Sequence, residues 1–323
     1  MDALSLYGAC LEKREIPTAI LEREVGGKTV TYAHRPVDTA ALRAAMPKHP
    51  RLRRASNVTK FAVTAAHEAV GEERLEKMKS GELRIGIVMS FMNGCVNYSN
   101  RFFSEVLDDP TLASPMIFPE TVFNAPASHV AAYLECDGPV YTLIGDTATW
   151  FSAFRVADDW ISAGLVDGCL IVSAEETDWL TLEALSLYSP DFIATEGAAA
   201  VYLEASPSGI ALDSLHGSFD YTSAPERRSA LASAFSKTTP EGILVDGLTG
   251  MPRMDRDEIE ATSGWTGERM SPVPTLGESM GVRCGFQTIA ALEALRDGHN
   301  SATVFAAGGN QHAFSARFTK HEL

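Results

Sequence analysis

The sequence predicts an α/β fold in layers, built from a repeated β-α-β unit, and three observations predict it. Short β-branched or apolar runs beside glycine or proline alternate with stretches of helical periodicity. Two stretches share one frame: an extended piece, a glycine, an amphipathic helix, a second glycine, then a strand. The glycines are Gly145 and Gly164 in one and Gly277 and Gly298 in the other, 19 and 21 residues apart. Apolar residues make up 45% of the 323 positions, enough for a large core. Strands that alternate with helices form sheets with helices on their faces.

The strand candidates are Leu83–Ser90, Val140–Ile144, Cys169–Ser173, Ala199–Glu204, Gly209–Leu215, Ile243–Val245, Ala302–Ala306 and His312–Arg317. The clearest helix follows Asp146. Trp150, Ala153, Phe154, Ala157, Trp160 and Ile161 fall on one stripe, and Gly164 stops it. A second helix is expected from about Glu278 to Arg296, with Phe286, Ile289, Ala290 and Leu292 on a broad apolar side. No linker or low-complexity segment divides the chain. Two halves are expected, residues 1–205 and 206–323, the second shortened.

Composition excludes several classes of function. The net charge of −15 argues against nucleic acid and anionic membrane as partners. One basic stretch interrupts the acidity, with Lys48, Arg51, Arg53, Arg54 and Lys60; it reads as a solvated surface before a helix rather than a docking site. There is no apolar run of the ~18 residues a spanning helix needs. The N-terminus lacks the basic flank and long apolar stretch of a signal peptide, so a cytoplasmic protein is expected. Cys10, Cys95, Cys136, Cys169 and Cys284 are scattered, with no metal-ligand spacing, and are expected reduced and mostly buried. No cofactor or metal is expected.

The chemistry should lie at the two glycine turns. A helix start presents unpaired N–H groups and partial positive charge, which stabilise an anion placed there. The two turns read Gly145-Asp146-Thr147-Ala148-Thr149 and Gly277-Glu278-Ser279-Met280-Gly281. The run GPVYTLIGDTATWFSAFRVADDWISAG, followed by VDGCLIVSAEE, resembles the nucleophile region of the β-ketoacyl-acyl-carrier-protein synthases, members of the thiolase fold. FPETVFNAPASHVAAYL resembles the segment before it, and ATEGAAAVYLE (Ala194 to Glu204) the strand that closes the N-terminal half. TLGESMG and AGGN (Ala307 to Asn310) resemble the histidine-bearing turn and the terminal glycine-rich loop. VDGLTGMPRMDRDEIEA, from Val245, resembles the segment around the first histidine. The resemblance implies a thiolase-like αβαβα sandwich of two duplicated halves, and a cysteine–histidine–histidine centre.

This sequence has Thr147, Gly247 and Glu278 at those three places, and Val273 where a lysine usually precedes the second histidine. Transacylation needs a thiolate or a base-activated hydroxyl. Decarboxylating a malonyl thioester needs donors for a developing enolate oxygen; a glycine has none, and an ionised glutamate repels the enolate. Thr147 is expected to pack or cap, with acyl acceptance as the alternative. Glu278 is expected as a carboxylate at a helix start, with a buried ion pair as the alternative. Asp146 reads as a cap, and His129 and His312 as structural. The implied function is a non-catalytic subunit of the chain-length-factor type from polyketide or aryl-polyene systems. It would pair with an active synthase, which in turn serves the carrier protein, and help shape the acyl tunnel. Candidate tunnel or interface residues are Phe91, Met92, Phe102, Phe103, Trp150 and Phe151. The alternatives are an acyl-thioester hydrolase or transferase using Thr147, and a homodimeric scaffold.

Overall fold

A computed structural model describes residues 1–309 and 311–321. Asn310, the last residue of AGGN, lies outside the described residues. The chain forms two compact units. One comprises 18–144 and 153–205, the other 1–17, 145–152 and 206–323. Residues 1–17 and 145–152 thus fall outside the unit that ends at residue 205. Two segments group with the later part of the chain for visible reasons. The helix Ala3–Glu12 donates from Tyr7 Oη to Asp297 (3.1 Å), and Thr147 is bonded to Cys284.

In the unit of residues 18–144 and 153–205, the sheet has the order Val140–Ile144, Ile85–Phe91, Gly168–Glu175, Gly197–Glu204. The first three strands are parallel and the last is antiparallel. Every residue of the two central strands is buried, as parallel strands covered on both faces require. The helix Asn57–Lys79, broken at Gly71 (φ 72°), and the helix Ala125–Leu134 bury Phe61, Ala62, Val130 and Leu134 with Ile87 and Met89. A small separate sheet was not foreseen. Ala19–Val25 and Lys28–Arg35 form a hairpin through Gly26 and Gly27, both at positive φ as a tight hairpin turn demands, and Ala194–Thr195 joins it.

In the other unit the sheet order is Glu268–Met270, Ile243–Val245, Ser301–Ala307, His312–His321, Gly209–Asp220. Its first three strands are parallel and the fourth antiparallel, the same directions as in the first sheet. Its fifth strand, Gly209–Asp220, pairs antiparallel with the fourth. Among the described residues nothing occupies the matching place beside Gly197–Glu204. The helix Ala224–Phe235 and the loop residue Trp265 close a core with Leu231, Leu244 and Phe305.

All eight strand candidates form strands. The helix after Asp146 spans Thr149–Ser162. The second helix begins at Arg283, not Glu278: Gly277 (φ 93°) and Met280 (φ 49°) hold a turn first, and a 3₁₀ segment, Met280–Val282, follows. The extra turn places Glu278 ahead of the helix, facing its first residue.

Candidate functional site

The three degenerate positions share one buried centre. Thr147 is buried, and its Oγ1 accepts a hydrogen bond from Cys284 N (3.0 Å) at the start of the helix Arg283–Arg296. This hydroxyl therefore caps a helix end that has no other partner for that N–H. Asp146 holds the neighbouring loop: Oδ1 accepts from Ala148 N (3.1 Å), Oδ2 accepts from Gln311 N (3.1 Å), and Asp146 N donates to Gln311 Oε1 (3.0 Å).

Glu278 is a buried ion-pair residue. Its Oε2 accepts from Arg283 Nη1 (3.0 Å) and its Oε1 from Met280 N (2.8 Å). Arg283 Nη2 also donates to the carbonyl of Ala307 (2.6 Å). Burial opposes the guanidinium charge, but the carboxylates of Glu278, Glu258 and Asp146 outweigh it, and the pKa is driven above its ordinary value. Gly247 offers only its N–H, which donates to Glu258 Oε1 (2.7 Å). Burial pushes the Glu258 carboxyl up to about 7, and Asp246 pushes the same way; the Gly247 N–H and Arg283 pull against them. A Cβ on Gly247 would lie 3.4 Å from the Glu258 carboxylate, in ordinary van der Waals contact with it.

A cysteine does lie in this centre. Cys284 is buried, and burial raises its thiol to about 12, so it is no thiolate at neutral pH. Of the histidines of this unit, three bond elsewhere: His312 Nδ1 with Asp220 (2.9 Å), His299 with the Ala294 carbonyl (3.0 Å) and Glu268 (3.2 Å), and His321 Nε2 with Thr319 (3.0 Å). Among the described residues, none bonds to Thr147, Gly247 or Glu278. Among the described residues, the centre holds a hydroxyl used as a cap and a thiol that burial keeps protonated. Its polar atoms hold backbone and balance charge. Trp150 and Phe151 are core: Trp150 Nε1 donates to Thr288 (3.0 Å), and Phe151 stacks on Phe314 with centroids 6.0 Å apart.

The other four candidates lie in the first unit. Phe91 is wholly buried in its core. Met92 is half exposed; its N–H donates to the buried Glu175, as does that of Asn93 (3.2 Å). Phe102 and Phe103 lie on the helix Val96–Asp108, which is amphipathic yet has no buried residue. Its inner side is polar. Asn97 N donates to Glu176 (3.0 Å), Asn97 Nδ2 to the Thr177 carbonyl (3.1 Å), and Asn100 Nδ2 to Asp178 (3.3 Å). Its apolar side faces outward: Phe103 is 61% and Leu107 69% exposed. Phe102 rests on Phe118 (centroids 5.4 Å apart), and Val96, Phe102, Phe103, Thr121 and Leu180 line an open groove of 420 Å³.

Sequence reasoning missed Arg283, Glu258, Asp246 and Gln287. In RMDRDEIEA, Asp255 and Glu258 are buried although six of the nine residues are charged. Arg283 carried a signal: one cation in an otherwise apolar stretch, five residues after a glutamate. His129 pairs with Glu120 (2.8 Å). Lys48, Arg51, Arg53 and Arg54 are exposed, and none of them pairs with a carboxylate. Cys136 is half-buried and the other four cysteines are buried; all five are free. No helix among the described residues is long and apolar enough to cross a membrane, and no group of residues is arranged to hold a metal.

No family model and no curated protein matches the sequence. Solved structures do. The ishigamide ketosynthase/chain length factor superposes with a TM-score of 0.78 at 15% identity, over 99% of this chain and 95% of that one. The ketosynthase ApeO in complex with its chain length factor ApeC, from Xenorhabdus doucetiae, gives 0.72 at 16% identity over 99% and 93%. A β-ketoacyl synthase from Burkholderia phymatum gives 0.70 at 18% identity over 90% and 88%. The fold is therefore that of the thiolase-type ketosynthases. Within it, the chain is similar to structures of ketosynthases paired with chain length factors.

Proposed function

We propose that this protein is a non-catalytic subunit of the chain-length-factor type. It pairs with an active β-ketoacyl-acyl-carrier-protein synthase in polyketide, polyene or fatty-acid-type synthesis and bounds part of the acyl tunnel. One observation carries the reading: the centre that would hold cysteine and two histidines holds a capping threonine, a glycine whose N–H is tied to Glu258 and a buried Glu278–Arg283 pair. Such a site cannot open a thioester or stabilise an enolate.

The first unit supports the pairing. The helix Val96–Asp108 is tethered by its polar side and leaves phenylalanine and leucine in water, which isolated domains avoid over contiguous areas. The edge strand Val140–Ile144 exposes Val140, Tyr141 and Ile144 and has a ladder on one side only. Both features fit a subunit of the same fold. Carrier-protein docking then falls to the partner, since a chain of charge −15 repels an acidic carrier.

Co-expression with a synthase encoded nearby, followed by size-exclusion chromatography with mass measurement, tests this. A 1:1 complex is expected; a stable homodimer that ignores the synthase would sink the proposal. Phe103→Glu should weaken the complex about 30-fold or more, as for a central interface aromatic, and leave the isolated chain's melting unchanged. Met92→Ala or Phe102→Ala should lengthen products if these side chains bound the tunnel; unaltered products remove them from it. Intact-mass measurement after incubation with acyl thioesters should find no adduct. An adduct lost in Thr147→Ala would replace this reading with a transferase.

A further inference from the structure

Three arginines close on one carboxylate where the helices Ala224–Phe235 and Pro252–Ala261 pack together. Asp257 Oδ2 meets Arg227 Nη1 (3.4 Å), and its Oδ1 meets both Arg256 Nε (3.4 Å) and Arg228 Nε (3.9 Å). The acid lies inside the group, its side chain 11% exposed, while Arg228 is 50% and Arg256 70% exposed. Arg253 stands one turn before Asp257 on the same helix face and makes no ion pair among the described residues.

A chain with 42 acids and 27 lysines and arginines does not gather cations by composition alone. The other acids of these two helices are held elsewhere or stand in water. Glu226 accepts from Thr222 N (2.9 Å), and Asp255 from the N–H groups of Thr249 and Gly250 (2.8 Å each). Glu258 is buried and bonded to Gly247 N, and Glu260 is exposed. Three guanidiniums within reach of one carboxylate repel one another, and the carboxylate answers only one of the three charges.

The chemistry of the surplus selects a ligand. Arg228 and Arg256 each turn Nε to Asp257, and their terminal nitrogens make no bond among the described residues. Those nitrogens form planar forks that fit the oxygens of a carboxylate or a phosphate in pairs. A second carboxylate would cancel one charge only. A phosphate monoester carries about two negative charges at neutral pH, with three acceptor oxygens. It matches both the surplus and the open forks.

We infer that Arg227, Arg228 and Arg256 form a site for a phosphate monoester. Arg228 and Arg256 take the phosphate oxygens. Arg227, 19% exposed and also facing Glu258, holds Asp257 in place beneath them. The inference does not rest on the proposed synthase pairing.

Calorimetric titration of the full chain with methyl phosphate and with dimethyl phosphate tests it. The diester presents the same phosphorus centre with one charge instead of two, so the monoester should bind at least about ten-fold tighter. Arg228→Gln and Arg256→Gln, both at exposed positions, should each weaken methyl phosphate about ten-fold and leave the melting of the free chain unchanged. A phosphoserine peptide run beside methyl phosphate separates a protein-borne phosphate from a free one, and the tighter binder names the source. Equal binding of the two esters, no binding of methyl phosphate, or undiminished binding when both arginines are replaced would overturn the inference.

Discussion

Buried carboxylates sit at the centre of both units, but they are answered in different ways. In the unit holding residues 206–323, Glu278 is answered by a cation, Arg283, and Glu258 by a raised pKa as well as one N–H. In the other unit, Glu176 lies between two helix starts and accepts from Val58 N (3.1 Å) and Asn97 N (3.0 Å). There the partial positive ends of two helices oppose the burial that raises this carboxyl, without outweighing it. An ion pair fails when one partner goes, whereas a carboxylate set among N–H groups keeps its environment when a distant side chain changes. The first unit can therefore leave apolar side chains outside without weakening its interior, while the second depends on one arginine.

Removing that arginine is the severest way to break the contrast. Arg283→Met leaves Glu278 buried without its cation, and urea unfolding should lose about 3–5 kcal/mol. Arg283→Met with Glu278→Gln should recover much of that loss; if the single variant is as stable as the parent, the ion pair does not hold this centre. The next effect is one of pH. The Glu258 carboxyl titrates near 4.5 when unfolded and about 7 when folded. The folded state binds its proton more tightly, so stability is fullest below pH 4.5, falls as pH rises to about 7, and is level above. The fall should be about 3 kcal/mol for this group. Glu176, raised by burial too, adds in the same direction. Glu258→Gln should flatten the slope of stability between pH 5 and 7, and an unchanged slope would remove Glu258 as its source. Smallest is Thr147→Val, which strips the acceptor from a buried N–H and should cost about 1–2 kcal/mol, read as a lower melting temperature. Thr147→Ser, which keeps the oxygen, should lose less.

The strands were legible because burial on both faces leaves continuous apolar runs such as IGIVMSF and CLIVSAEE, bounded by glycine. The hairpin around Gly26-Gly27 was missed although its turn signal is plain, because its strands alternate weakly, with only Tyr32 and Arg35 buried. The surroundings of Thr147, Gly247 and Glu278 were not legible. Thr147 meets Cys284 across 137 positions, and no local pattern encodes that contact. The start of the second helix was misplaced because the positive φ of Met280 is a conformation few methionines adopt. The inverted helix was half visible: its apolar stripe could be read, but its outward direction is set by Glu176, Thr177 and Asp178 on another segment.

Arg283 also bears on how this centre can change. A histidine at 278 would strand a buried guanidinium. A histidine at 247 would set an imidazole beside the Glu258 carboxylate. A cysteine at 147 would strip the cap from the Cys284 amide and find no base. Each of these side chains answers another, so no single replacement leaves the rest in place, and new chemistry at this centre would need several changes made together.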